Sequence, residues 1–177
     1  DPVTGVLQLG AFKERAARQL EDISKAKNYA LICTDICNFE RVNNLYGMQK
    51  ADKLLADTAK MIMASGKCIL LCCRSVADHF VALACYQDFS TFRNMLNELC
   101  NRFVVEIGNE YSDAYPRLGI GVYRIDKEHP PIQKMVEYAI SCGKYSEAEI
   151  AQKKAEVAKL HREVQKDTEV LSAAIGK

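Results

Sequence analysis

The sequence has no excess of charge of either sign and no long apolar run. Lysine and arginine together number 24 and aspartate and glutamate 23, so the formal net charge is +1. Proteins that bind nucleic acids or anionic membrane surfaces by charge usually carry a basic excess. The longest stretch without a charged residue, residues 2–12, is far shorter than the roughly 18 apolar residues of a membrane span. We therefore expect neither a nucleic-acid partner nor membrane contact from this chain.

Targeting signals are absent as well. The chain begins with aspartate, and no basic segment is followed by an apolar one near its start, so no signal peptide is predicted. We expect a cytoplasmic protein, and we expect the chain to be a segment of a longer one. Its length of 177 residues suits one domain, or one domain with an appendage.

Cysteine is abundant, yet no C-x-x-C pair occurs among the eight cysteines. Cys33 and Cys37, like Cys68 and Cys72, are four residues apart in segments predicted as strands, where that spacing corresponds to roughly 13 Å. This distance is too long for one disulfide or one metal ion. Most of the cysteines lie among Leu, Ile, Val and Ala, so we predict buried, reduced thiols that pack as small apolar side chains.

Apolar spacing predicts a chain of helices and strands. The predicted helices cover residues 12–23, 51–62, 89–103 and 132–140, and the predicted strands cover residues 29–34, 68–73, 80–85 and 118–123. The polar segment 35–47, with Asn43, Asn44 and Gly47 as turn signals, lies between the first strand and the second helix. Only residues 74–79 separate the second and third strands, so these strands should form a hairpin.

The core order strand-helix-strand-strand-helix-strand is that of the ferredoxin-like split βαβ fold, in which the third strand inserts between the first two. The end of the first strand then lies beside the start of the third. Asp35 ends the first strand and Asp78 begins the third, so two carboxylates meet at one edge of the sheet. Such a pair suits Mg²⁺, which takes one or two carboxylates together with waters and phosphates. The alternative is two solvated aspartates in turns.

Six segments, in order along the chain, resemble motifs of GGDEF domains, the diguanylate cyclase family. They are DPVTGVLQLGAF at 1–12, DICNFERVNNLYG at 35–47, Ala51-Asp52, RSVADHF at 74–80, LGIGV at 118–122 and AISCGK at 139–144. The corresponding family motifs are D-x-L-T-G-L-x-N-R-x-x-F, D-I-D-x-F-K-x-I-N-D-x-Y-G, Gly-Asp, R-x-G-G-D-E-F, S-I-G-I/V and A-L-Y-x-A-K. The resemblance implies an α+β fold of the nucleotidyl-cyclase type, with a βααββαβ core whose mixed antiparallel sheet is flanked by helices.

The resemblance also implies a nucleotide site. In the family, two protomers each hold one GTP, and two Mg²⁺ ions help each 3′-hydroxyl attack the α-phosphate of the other GTP, which yields cyclic di-GMP and diphosphate. Carried onto this chain, the implied metal ligands are Asp35, the carbonyl of Ile36 and Asp78, the implied guanine contacts are Asn43 and Asp52, and the implied phosphate contact is Lys144. Carboxylate and amide groups suit the guanine edge. Without the resemblance, Asn43 is a turn residue, Asp52 a first-turn acid favoured by the helix dipole and Lys144 a solvated charge.

The signature loop departs from the family motif. It reads Val76-Ala77-Asp78-His79-Phe80 where the family has G-G-D-E-F. A valine at positive φ would be strained by about 1–3 kcal/mol, so either the turn differs or Val76 and Ala77 fill the space of a triphosphate. His79 replaces an acid, and Mg²⁺ prefers oxygen to imidazole. We expect His79 to be an exposed turn residue rather than a base, no catalytic residue in this loop, and a weakened Mg²⁺ site.

Other positions depart in the same direction. Cys37 replaces the second acid of D-I-D, Glu40 replaces a lysine with Arg41 beside it as a partial substitute, Ala51 replaces a glycine and Ala148 a basic residue, and residues 67–70 lack the product-inhibition motif R-x-x-D. We expect a degenerate GGDEF domain of cyclic di-GMP signalling that is cyclase-inactive and regulatory, retains GTP binding and modulates an adjacent phosphodiesterase domain. The alternatives are an active diguanylate cyclase with a variant signature and a ligand-free dimerisation or scaffold module.

The composition changes after residue 145, where Ala, Glu, Lys and Gln dominate and proline is absent. A series of mostly apolar residues recurs every three or four positions in this part, at Val157, Leu160, Val164, Thr168, Leu171 and Ile175, which is typical of a coiled-coil seam. We predict a GGDEF-like domain at 1–145 and a helical linker at 146–177. The apolar stripe of the linker would pack on its own domain, pair with a second protomer, or lead to a downstream EAL-type phosphodiesterase domain.

Overall fold

The structure of the protein is a computed structural model that describes residues 1–21, 28–126 and 128–143, with side chains as far as residue 140. All of these residues belong to one compact unit, Asp1–Lys144. Two predictions lie outside the described residues: the position of Lys144 and the helical linker 146–177.

Five strands and five α-helices follow one another along the described chain. They are β1 (Leu7–Gln8), α1 (Leu9–Glu21), β2 (Asn28–Cys37), α2 (Phe39–Tyr46), α3 (Met48–Ala64), β3 (Ile69–Val76), β4 (His79–Tyr86), α4 (Phe89–Arg102), β5 (Arg117–Ile125) and α5 (Ile132–Gly143). A π-helical turn (Phe103–Ile107) and a 3₁₀ helix (Gly108–Tyr111) connect α4 to β5. Within the residues that the structure describes, no helix has the length and apolarity that crossing a membrane requires.

The strands form a single mixed sheet in the order β1-β3-β4-β2-β5. β4 lies between β3 and β2 and is antiparallel to both, β5 is antiparallel to β2 on the other side, and β1 runs parallel to β3 at the edge. The predicted insertion of the third core strand between the first two is therefore confirmed. So are the α+β fold class and the βααββαβ order, which here follows an additional β1 and α1.

Helices cover both faces of the sheet because successive residues of a strand point to opposite sides. Ile32 and Ile36 of β2 belong to the apolar core that includes α3 and α4, whereas Leu31 and Cys33 belong to the core that includes α1 and α5. With both faces covered, β2 is buried at every position from Tyr29 to Thr34. This explains the nearly continuous apolar run that identified the strand in the sequence.

The cysteines of the central strands are apolar filler, as predicted. Cys33, Cys72 and Cys73 are buried, and burial is the main cause that raises the pKa of the Cys72 and Cys73 thiols to about 12. These two thiols are therefore protonated and unreactive at neutral pH. Cys68, Cys85 and Cys100 are only half-buried, and Cys37 departs from the prediction altogether, because its side chain is exposed.

Strand β2 is longer than predicted. We expected it to end at Asp35, but it continues to Cys37 because β5 extends the ladder, with Asp35 opposite Gly119 and Cys37 opposite Arg117. Asp35 therefore lies inside the strand, and the turn begins only at Asn38, whose φ is 65°. Of the predicted turn signals in segment 35–47, Gly47 lies at the end of helix α2, whereas Asn43 and Asn44 lie within that helix. The prediction of a turn at Asn43 and Asn44 is therefore wrong, and the helix is the one that the implied βααββαβ order requires.

The connection before β5 is attached to α3. The hydroxyl of Tyr111, a buried residue, donates to the carbonyl of Lys50 at 2.9 Å. Glu110 forms ion pairs with Lys50 and Lys53, and these hydrogen bonds lower the pKa of the Glu110 carboxyl to about 2. Together these contacts hold the start of α3, the helix that carries Asp52, against the connection between α4 and β5.

The β3–β4 hairpin contains the signature loop and has a two-residue turn. Val76 pairs with His79, so Ala77 and Asp78 form the turn. Ala77 has a positive φ of 50°, whereas the φ of Val76 is not positive. Val76 therefore avoids the strain that a positive φ would cause, and the positive φ falls on Ala77, where the Nε of Arg74 donates to the main-chain carbonyl at 2.6 Å.

Replacing Ala77 by glycine should stabilise the domain. An L-residue in the left-handed region is strained by about 1–2 kcal/mol, and glycine removes this strain. Part of that gain is lost because glycine has greater conformational freedom in the unfolded chain. We expect Ala77→Gly to raise the free energy of unfolding by about 0.5–1 kcal/mol, measured by urea denaturation. The matched control, Val76→Gly, should lower it by a similar amount because Val76 is in a strand. A less stable Ala77→Gly variant would contradict this account of the turn.

Candidate functional site

An open cleft of about 770 Å³ lies where the end of β2, helix α2 and the β3–β4 turn meet. Its size is in the range of small-molecule sites in proteins. The cleft is lined by Ile36, Asn38, Phe39, Glu40, Arg41, Asn43, Asn44, Leu45, Ala77 and Asp78. Its walls thus come from two segments that are distant in the sequence and that the sheet brings together.

Three of the six predicted site residues line this cleft: Ile36, Asn43 and Asp78. Asp52 is half-buried on α3 and is not among the lining residues, and neither is Asp35. The structure therefore brings the turn carboxylate and the amide of Asn43 to one cleft.

The other signature-loop positions divide between surface and core. Val76 is 63% exposed, whereas Phe80 is buried and packs in the core with α3 and α4. His79 is half-buried at the start of β4, so our expectation of an exposed turn residue is wrong. Ala77 lines the cleft.

Asp78 connects the signature loop to β2. Its Oδ2 accepts a hydrogen bond from the backbone amide of Ile36 at 3.0 Å. The main-chain ladder between β2 and β4 extends as far as the pair Thr34 and Phe80. Beyond this pair, the Asp78 side chain joins the end of β2 to the β3–β4 turn. One carboxylate oxygen is thus engaged in holding the fold, and the other is available to a ligand.

Asp35 is in a less favourable environment. Burial raises the pKa of its carboxyl group, the neighbouring charge of His79 lowers it and that of Asp78 raises it, with a net increase. The Oδ1 atom of Asp35 is buried and accepts no hydrogen bond from the described residues. On its Oδ2 side, the Sγ of Cys37 lies 3.9 Å away. A buried acceptor without a donor is costly. The hydrogen bonds from the Asp35 amide and the Cys37 thiol lower the pKa, but they do not outweigh the effect of burial.

Gly119 is the residue of the site that the sequence analysis missed. It lies on β5 directly opposite Asp35. A Cβ atom at this position would overlap Oδ1 of Asp35 and lie 3.2 Å from its Cγ, so only glycine accommodates the present position of the carboxylate. The available signal was a glycine inside a predicted strand, which often marks a close approach of another group.

The carboxylates in and beside the cleft determine how well a divalent cation fits there. Among the described residues, no three His, Cys, Asp or Glu side chains are grouped closely enough to hold a metal. Glu40 lines the cleft as an exposed side chain, and the two carboxylates at the junction of β2 and β4 are Asp35, with its unpartnered Oδ1, and Asp78, with one available oxygen. This set fits one Mg²⁺ that keeps several waters and binds phosphate, and it does not fit two cations.

The unfavourable environment of Asp35 predicts a gain in stability on neutralisation. We expect Asp35→Asn to raise the free energy of unfolding of the metal-free protein at pH 7 by about 1 kcal/mol, because it removes a charge from a site with a buried, unpartnered oxygen. A raised folded-state pKa penalises the ionised form, so this gain should shrink as pH falls towards 3.8, the ordinary value of the carboxyl.

Urea denaturation between pH 3.5 and 7 measures this effect. The control is Asp126→Asn, which changes an exposed aspartate at the end of β5 and should alter stability by less than about 0.5 kcal/mol. If Asp35→Asn were the less stable protein at pH 7, the carboxylate would have a partner that this account does not include.

Comparison with known proteins assigns the chain to a family. A family model described as "Diguanylate cyclase, GGDEF domain" matches residues 1–144. No protein with curated functional data matches the sequence significantly.

Three solved structures illustrate the similarity in fold. A sensory box/GGDEF family protein from Caulobacter crescentus is 17% identical with a TM-score of 0.68, over 81% of this chain and 94% of that chain. The GGDEF domain of DgcB from the same organism, solved in complex with c-di-GMP, is 18% identical with a TM-score of 0.65, over 88% and 90%. The FimX GGDEF domain from Pseudomonas aeruginosa is 20% identical with a TM-score of 0.63, over 81% and 90%. Since the family match spans most of the sequence and the fold agrees, the chain belongs to the diguanylate cyclase GGDEF domain family.

Proposed function

We propose that this GGDEF domain is a degenerate, regulatory member of cyclic di-GMP signalling that binds GTP with one Mg²⁺ and does not synthesise cyclic di-GMP. The observation that carries the proposal is the state of its two carboxylates. Asp78 is hydrogen-bonded to the amide of Ile36, and Asp35 lies over Gly119. Two-metal catalysis needs carboxylates that clamp both cations at once, and neither side chain is arranged for that.

Binding of the base would depend chiefly on Asn43. Its main-chain carbonyl already accepts from the amide of Gly47 at 3.0 Å, while its exposed side chain lines the cleft with both a donor and an acceptor to offer. Asp52, half-buried on the adjacent helix α3, would accept from the N1 and N2 groups of guanine if the base extends beyond the present lining. Lys144 is proposed as a contact for the phosphates.

Binding of the phosphates would depend on one cation and one arginine. When bound, Mg²⁺ would neutralise phosphate charge, with Asp78, Asp35 and the carbonyl of Ile36 as its protein ligands. Glu40 and Arg41 are both exposed and both line the cleft, so the repulsion between Glu40 and a triphosphate is offset in part by Arg41.

Loss of catalysis follows from the signature loop. His79 takes the place of the acid after Asp78, and imidazole is a poor ligand for a hard cation. Only one carboxylate therefore remains in the loop, and it contributes a single available oxygen. The attacking hydroxyl and the leaving diphosphate would lack the second cation that stabilises their charge.

The proposal predicts GTP binding without turnover. Calorimetry should show one GTP per chain in the presence of Mg²⁺, and chromatography after prolonged incubation with Mg²⁺ or Mn²⁺ should show no cyclic di-GMP. Asn43→Ala and Asp52→Ala should each weaken binding about tenfold, since a hydrogen bond to the base is worth about 1–1.5 kcal/mol. Asn97→Ala, on the exposed surface of α4 and outside the cleft lining, is the control and should bind normally.

The two other outcomes have distinct meanings. Clear production of cyclic di-GMP would overturn the inactive assignment in favour of an active cyclase with a variant signature. No detectable GTP binding by the unmodified chain would leave a ligand-free dimerisation or scaffold module.

The apolar stripe of residues 146–177 is proposed to contact a second protomer or, in a longer protein, an adjacent EAL-type phosphodiesterase domain. This proposal depends on the sequence pattern alone. If the chain dimerises through the stripe, Leu160→Glu with Leu171→Glu should convert a dimer to a monomer in light scattering, whereas the charge-preserving Lys154→Arg should not. A chain that is monomeric without substitution would leave its own domain or the adjacent domain as the partner.

A further inference from the structure

The side chain of Asp35 occupies a space that only a glycine leaves open. Asp35 and Gly119 are directly opposite on the antiparallel strands β2 and β5, where facing side chains on one side of a sheet normally touch. Because Gly119 has no Cβ, the carboxylate lies in the volume that such an atom would fill, with Cγ 3.2 Å from the ideal Cβ position. The carboxylate is thus held beside β5.

This position does not satisfy the carboxylate. Its Oδ1 atom is buried and receives no hydrogen bond from the described residues. Transfer of a polar group from water to such a place is unfavourable. The free energy required to bring Asp35 out again is therefore small, and a cation in the cleft can supply it.

The cleft itself is next to this carboxylate. Ile36, which follows Asp35 in the chain, lines the cleft, and so does Asp78. Asp35 itself is not among the described residues that form the cleft wall. Asp78 and His79 nevertheless lie close enough to Asp35 for their charges to affect it. Rotation of one side chain, with no change in the strand, is the smallest movement that would carry the carboxylate towards Asp78.

We propose that Gly119 is a positioning residue that weakens divalent-cation binding in the cleft, because it provides Asp35 with a resting position from which the carboxylate must rotate before it can bind the cation. This inference rests on the cation site of the proposed function. It adds to that proposal a specific cause for weak affinity, which is conformational and is located on β5. The loss of acids from the motifs is a separate cause.

The size of the effect follows from the population of the competent state. If the carboxylate reaches the cleft in at most about 10% of molecules, the apparent dissociation constant for the cation is raised at least about tenfold. Any side chain at position 119 that excludes the resting position should remove this factor. The clashing atom is the end of a flexible side chain, so the strands need not separate to accept the new Cβ.

The test measures binding of Mn²⁺ alone to the full chain, without nucleotide, by water proton relaxation and by the Mn²⁺-dependent rise in melting temperature. Gly119→Ala and Gly119→Ser should each bind Mn²⁺ about tenfold more tightly than the unmodified protein. Serine is the first residue of the S-I-G-I/V motif that this strand resembles. The matched control is Gly10→Ala on α1, where an added Cβ meets nothing within 4 Å; it should leave Mn²⁺ binding unchanged.

A double substitution separates this role from a structural one. In the Asp35→Asn background, Gly119→Ala should have no effect on Mn²⁺ affinity, because the carboxylate that it displaces is gone. A tenfold gain that persists in that background would overturn the proposal. Unchanged or weaker Mn²⁺ binding by a Gly119→Ala protein with a native circular dichroism spectrum would also overturn the proposal. The same holds if neither the unmodified protein nor the variant binds Mn²⁺. Because no nucleotide is used, a failure of GTP binding leaves this result unaffected.

Discussion

The position of β2 between β4 and β5 is the constraint on which the candidate site depends. Towards β4, the strand end is held by the hydrogen bond from the Ile36 amide to Asp78. Towards β5, the ladder continues through the pair of Asp35 and Gly119. The end of β2 therefore takes part in one carboxylate contact on each side. Its Ile36 amide donates to Asp78, and its Asp35 carboxylate lies against Gly119. Helix α2 begins just after β2 and forms one wall of the cleft.

The two carboxylates have opposite effects on the fold. Asp78 stabilises the hairpin turn, because its side chain accepts the last hydrogen bond between β2 and the β3–β4 turn. Asp35 has a buried oxygen without a donor and a carboxyl pKa that burial raises. A side chain that breaks the rule of satisfied buried polar groups is more readily explained by a ligand than by stability. Among the described residues, these two carboxylates are compatible with one cation.

Much of the architecture was predictable because it follows from local spacing. The apolar positions of α3 and the continuous run in β4 are required by burial, and the end of β2 lies beside the start of β4 because of the strand order of the split βαβ pattern. The extension of β2 to Cys37 was not predictable, since it depends on partners in β5. Nor was the choice of Ala77 as the residue with φ 50°, because the pairing of Val76 with His79 sets which two residues form the turn.

Residue type and order along the chain were sufficient to identify the family motifs, the two carboxylates and the departures at His79 and Cys37. They could not show how each carboxylate is engaged. The contact of Asp78 with the Ile36 amide and the position of Asp35 over Gly119 join residues that are far apart in the sequence. Such contacts depend on strand register, and register is established only when the sheet assembles, because a shift by one residue would turn every side chain to the opposite face.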